Sequence, residues 1–196
     1  MIFETICIID GVAQHLEYHQ RRLDLSRAAH WKMLAPIDLQ LVVEVPDEFS
    51  RGRVRCRVDV THNEFSVQFS NYSIRQYDTI GVVSAEIPYS HKWTDRSLFR
   101  SLFNQYPGFD DFLIAKNGYL TDMTIANIAL FKDGQWFTPA EPLLCGTTRA
   151  RLLLTGEIVP RQIHISELSS FKLARVLNAM TAGLLVTFSP EIIINI

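Results

Sequence analysis

Cysteine is scarce in this 196-residue chain: Cys7, Cys56 and Cys145 are odd in number, widely separated and without C-x-x-C spacing. That pattern argues against a disulfide framework or a zinc site, and a reducing cytoplasm suits it. Long apolar runs are also missing. No window approaches a membrane span, and Glu4 and Asp10 interrupt the N-terminus where a secretory segment would stay apolar. Nor is there an excess of one charge: 19 Lys+Arg against 21 Asp+Glu leave a formal −2, so nothing calls for a nucleic-acid or membrane partner. Internal repeats and low-complexity tracts are absent. Lysine is rare, with Lys32, Lys92, Lys116, Lys132 and Lys172 making up the whole set. What remains, with 47% apolar residues, suffices for one large core or two small ones.

Local patterns organise the chain. Phe3–Ile9 and Val12–Leu16 flank Asp10-Gly11, a two-residue hairpin signal. Glu17 to Met33 reads as a helix, with Leu16, Gln20, Leu23 and Arg27 at spacings of three and four. Arg53 to Val60 alternates strictly, which predicts a half-buried strand. Further strands are expected at Phe65–Tyr72, Thr79–Ala85, Phe112–Lys116, Tyr119–Asp122, Asn127–Lys132, Ile163–Ile165 and Arg175–Leu177. Helices are expected at Ser97–Asn104, capped by Asp95, and at Gly146–Leu154, closed by Gly156. Strands and helices mix without regular βαβ alternation, so the expected class is α+β. A polar connector after residue 87 sets the expected division, 1–87 and 88–196.

Four constellations can carry chemistry. Lys92 follows a strand-like run beside His91, Trp93 and Asp95; it is either a surface lysine or a partly dry nucleophile able to form a Schiff base. Gly146-Thr147-Thr148-Arg149 opens a helix, which is an ordinary cap or a phosphate seat. Asp122 ends a short strand near Thr124 and Asn127 and is either a turn aspartate or a working acid. The row Arg51, Arg53, Arg55, Arg57 is a solvated strand face, or holds a substrate carboxylate. His15-x-Glu17-x-His19 lacks the spacing of zinc peptidases, so no metal is expected. No Walker or nucleophile-elbow motif occurs.

Taken in order, F-E-T-I at Phe3–Ile6, H-Q-R-R-L at His19–Leu23, H-K-W-T-D-R-S around Lys92, N-G-Y-L-T-D-M-T-I-A-N-I at Asn117–Ile128, W-F-T-P at Trp136–Pro139, G-T-T-R at Gly146–Arg149 and N-A-M at Asn178–Met180 resemble the class IV aminotransferases. These are the fold-type IV pyridoxal-phosphate enzymes, which include branched-chain and D-amino-acid aminotransferases and aminodeoxychorismate lyase. The resemblance implies a two-lobed α+β fold with the active site between the lobes, and Lys92 as the Schiff-base residue. It implies that Arg22, Thr147, Thr148, Ala179 and Met180 bind the cofactor phosphate, and that Asp122 faces the pyridine nitrogen. The family usually has glutamate there, one methylene longer. The chain starts at the F-E-T-I motif and is shorter than typical members, so pocket loops are expected to be missing or supplied by a second subunit. Arg57 is the candidate for the substrate carboxylate by strand geometry rather than by motif.

A cytoplasmic homodimer acting on a small amino compound is therefore expected. Asn178-Ala179-Met180 resembles the N-A-L stretch of aminodeoxychorismate lyases, which tips the expectation towards elimination giving pyruvate and 4-aminobenzoate. An aminotransferase acting on branched-chain or D-amino acids, and a cofactor-binding protein without turnover, are the alternatives.

Overall fold

The computed structural model describes residues 1–31 and 35–196. Two compact units divide the chain: Met1–Ile74 with His91–Asp95, and Arg75–Ser90 with Arg96–Ile196.

In the first unit, β1 (Ile2–Ile9) turns through Asp10-Gly11 into β2 (Val12–Ala13). Both turn residues have positive φ, 47° and 80°, as a two-residue type I′ hairpin requires. The second strand is shorter than Val12–Leu16, because His15 adopts a left-handed conformation and starts α1 (Leu16–His30). The helix ends at His30, short of the expected Met33, because Trp31 turns to an extended conformation (φ −133°, ψ 137°); Lys32 and Met33 lie outside the described residues. After α2 (Leu39–Val42) come β3 (Arg53–Val60) and β4 (Phe65–Asn71), giving a four-stranded sheet ordered β2-β1-β3-β4. The alternation of β3 works as expected: Val54, Cys56, Val58 and Val60 are buried, packed with Ile2, Ile6 and Ile8 of β1 and Leu23 of α1.

The second unit contains β5 (Ile80–Ser84), α3 (Ser97–Gln105), β6 (Asp111–Lys116), β7 (Tyr119–Met123), β8 (Asn127–Lys132), β9 (Gln135–Pro139), α4 (Thr147–Leu154), β10 (Val159–Arg161), β11 (Leu173–Leu177), β12 (Thr187–Phe188) and β13 (Ile193–Asn195). They form sheets ordered β13-β5-β6-β7 and β10-β9-β8-β11-β12. Ile80, Val82, Leu113 and Leu120 from one sheet share a core with Ile128, Leu130, Ala174 and Val176 from the other. The architecture is α+β, with parallel and antiparallel pairs mixed in one sheet.

Three local differences stand out. Arg96, not Asp95, occupies the N-cap position of helix α3 and makes no side-chain capping hydrogen bond. Ile163–Ile165 makes a single bridge, His164 to Tyr119, because His164, Ser166 and Glu167 form a capping box that turns the chain into a 3-10 helix over Ile165–Ser170. His91–Asp95, grouped with the C-terminal half on sequence, sits in the first unit. Strand β2 covers only Ile8 and Ile9 of β1, so the start of that edge is open for pairing. The Phe3 N–H donates to the Lys92 carbonyl at 2.9 Å, the Thr94 N–H donates to the Met1 carbonyl at 3.1 Å, and Trp93 bridges to Ile2.

Candidate functional site

Within the first unit, Glu4 alternates with Ile6 and Ile8 onto the helix-facing side of β1. Arg22 grips its carboxylate at two points, Nε to Oε1 at 2.9 Å and Nη2 to Oε2 at 2.6 Å, and His19 Nδ1 stands 2.7 Å from Oε2. Burial alone would push the Glu4 carboxyl up. The Arg22 charge, with hydrogen bonds from His19 and Arg22, outweighs it and holds the pKa at about 2. Burial pushes His19 down, against the pull of Glu4. Here lies the fate of His19 from the H-x-E-x-H pattern: His15 and Glu17 are exposed while His19 is buried. Among the described residues, no group of three or more His, Cys, Asp or Glu could hold a metal ion.

Phe3 points to the opposite face of β1. Its ring centroid lies 4.7 Å from Lys92 Nζ and 4.0 Å from Arg57 Cζ, so the structure brings Lys92 and Arg57 to one aromatic ring. Asp59 holds the Arg57 fork, accepting from Nε and Nη2 at 2.7 Å each. Around Lys92, the His30 ring packs 4.4 Å from His91 and 4.5 Å from Trp93, and His91 Nδ1 is 3.1 Å from Ser26 Oγ. Lys92 is half-buried, whereas Lys116 and Lys172 are exposed and Lys132 Nζ donates to Ser170 Oγ.

Within the second unit, Asp122 is 4% exposed at the end of β7. Asn127 Nδ2 donates to its Oδ1 at 2.6 Å, and the Leu144 N–H donates to Oδ2 at 2.9 Å. Burial outweighs these donors and the nearby Arg149 charge, pushing the carboxyl up to about 7. Burial likewise lowers Arg149, whose Nη2 donates to the Pro139 carbonyl. Two residues beyond Leu144, Gly146 caps α4 without a side chain to satisfy the helix amides. The Ala150 N–H is the first to find the Gly146 carbonyl, so the Thr147 and Thr148 amides belong to the unpaired first turn. The pairing of Asn127 with Leu177 in the β8–β11 ladder brings Asn178 and the 3-10 turn Ala179–Thr181 to the same sheet end. Asn178 Oδ1 is buried there with no hydrogen-bond partner among the described residues. Asp122, Thr147, Thr148, Ala179 and Met180 are thus drawn together by one strand end, one loop and one helix start.

Sequence reasoning passed over Glu4, Arg149 and Leu144. Glu4 left a signal, a carboxylate on the inward face of a buried strand. Leu144 left none, because it acts through its backbone.

The fold and these motifs define a class. The model of the family "Amino-transferase class IV" matches residues 1–187, and the chain belongs to that family. An uncharacterized protein of Haemophilus influenzae is 35% identical over 182 residues, covering 91% of this chain and 97% of that protein. The crystal structure of a "putative 4-amino-4-deoxychorismate lyase" from Haemophilus somnus 129pt is 36% identical, with a TM-score of 0.83 over 91% of this chain and 95% of that one. A "putative aminodeoxychorismate lyase" of Schizosaccharomyces pombe is 37% identical over 75 residues, 35% of this chain and 32% of that protein.

Proposed function

We propose that this chain is a pyridoxal-phosphate enzyme that acts on a small amino compound through Lys92 and catalyses lyase-type elimination, releasing pyruvate and 4-aminobenzoate. When bound, the cofactor supplies an aldehyde that joins amines and a ring that accepts electrons from a bond broken at the substrate α-carbon. The observation that carries the reading is Asp122. It is a buried carboxyl held at both oxygens, whose desolvation the nearby Arg149 charge does not offset. A cationic ring N–H against it would offset the desolvation and return it to the ionised form.

The start of α4 suits a phosphate, through the Thr147 and Thr148 amides and hydroxyls and the partial positive charge of the helix end. Ala179 and Met180 offer further backbone, and Arg22, the second arginine of the family-like H-Q-R-R-L, would serve as the phosphate's cation, its fork oriented by Glu4. Lys92 would hold the cofactor through its aldehyde, and its amine, once free, would take the substrate α-proton and move it as general base and acid. Arg57, with its fork oriented by Asp59, would receive the substrate carboxylate. Elimination over amino transfer is favoured by the names of two relatives, "putative 4-amino-4-deoxychorismate lyase" at 36% identity and "putative aminodeoxychorismate lyase" at 37% over 75 residues.

The test is incubation of the cofactor-loaded protein with aminodeoxychorismate. Pyruvate and 4-aminobenzoate forming without a keto-acid acceptor would support the lyase. Turnover of L-leucine or D-alanine only with a keto acid present would replace it with an aminotransferase. A yellow protein inert to every amine would reduce it to a cofactor-binding protein. Sedimentation checks the proposed homodimer, and an active monomer would contradict it.

A further inference from the structure

We propose that Asn127 is a positioning residue that ties the acid assigned to the cofactor ring to the helix start assigned to its phosphate, with Gly146 conserving the space it occupies. The inference rests on the reading above and adds to it a coupling between the two cofactor contacts. Asn127 Nδ2 donates both to Asp122 Oδ1 at 2.6 Å and to the Leu144 carbonyl at 2.9 Å. The Leu144 N–H returns to Asp122 Oδ2 at 2.9 Å. Three hydrogen bonds therefore close a ring joining the end of β7, the start of β8 and the loop that enters α4. The backbone of Asn127 is fixed by its ladder partner Leu177, so the ring has a rigid anchor on the sheet.

Gly146 shows how tightly the loop is drawn in. A Cβ there would lie 1.9 Å from Asn127 Oδ1. Its backbone, at φ −70° and ψ 143°, is one that any residue adopts, so the requirement for glycine is steric, not conformational. Aspartate has a short side chain with few rotamers. Donors at both oxygens fix the plane of its carboxylate, and the same contacts set the distance from that carboxylate to the Thr147 and Thr148 amides.

The experiment compares Asn127→Ala, Gly146→Ala and the double variant. The Asp122 protonation midpoint is read in the cofactor-free protein by isotope-edited infrared spectroscopy, using Asp122→Asn to assign the band. Binding of pyridoxal phosphate and of pyridoxal is read by titration. In each single variant the midpoint should rise by about one unit, as the carboxylate loses a donor. The preference for pyridoxal phosphate over pyridoxal should fall by about tenfold, because the phosphate seat shifts with the loop. Adding Gly146→Ala to Asn127→Ala should cost little more, since the side chain it displaces is already gone. An unchanged midpoint with an unchanged preference, alongside lowered thermal stability, would leave Asn127 a structural residue and overturn the proposal. If Asn127→Ala does not fold, Gly146→Ala alone decides, because its backbone accepts alanine. A shifted midpoint together with normal cofactor binding by Asp122→Asn would uphold the positioning role and overturn the assignment of Asp122 to the ring.

Discussion

Glu4 and Asp122 are both buried carboxyls, and their neighbours send them in opposite directions. Glu4 has a full cation in Arg22 and stays ionised down to about pH 2. Its ion pair adds stability above the ordinary carboxylate range, and that contribution drains away as pH falls towards 2. Removing Glu4 strands the Arg22 charge, so Glu4→Ala should cost about 3–5 kcal/mol in urea unfolding at pH 7. Among the described residues, Asp122 has only dipoles at hydrogen-bonding distance, and burial pushes its pKa up to about 7. Unfolded, it ionises near pH 4; folded, it keeps its proton to about 7. Stability of the cofactor-free protein should therefore fall as pH rises from 4 to 7. Asp122→Asn should flatten that part of the melting-temperature profile, and an unaltered slope would assign the effect elsewhere. Asp122 itself was legible from its place at a strand end in the family motif. Its electrostatics were not, because Asn127, Leu144 and Arg149 reach it from other elements.

At the scale of elements, strands and helices followed from local pattern wherever one face is buried. Strand β3 matches residue for residue because its alternation is complete, and β8 ends where expected because the Asp133-Gly134 turn closes its hairpin with β9. Long-range pairing was illegible. Strand β13 lies parallel to β5 from the far end of the chain, and His91–Asp95 joins β1 through an edge left open by a short partner. The turn between β6 and β7 offers a test of element-level strain. Gly118 sits at φ 81°, and a Cβ there would approach His164 Nε2 to 2.6 Å. Gly118→Ala should destabilise by about 1–2 kcal/mol for the left-handed backbone alone, with a further steric cost. Adding His164→Ala should recover the steric part and not the backbone part, as measured by denaturant midpoints.

For the whole molecule, the account rests on the attachment of one cofactor to one lysine. Ligand that binds only the folded chain stabilises it by mass action, so saturating pyridoxal phosphate should raise the melting temperature. Lys92→Ala should lose the absorbance band of the lysine imine and show that of the free aldehyde, while retaining part of that rise through the phosphate and ring contacts. The most direct measurement is borohydride reduction of the cofactor-loaded protein followed by peptide mapping of the modified lysine. The account predicts label on the peptide containing Lys92 and on no other. Label on Lys32, Lys116, Lys132 or Lys172 instead, or none at all in a protein saturated with cofactor, would contradict it.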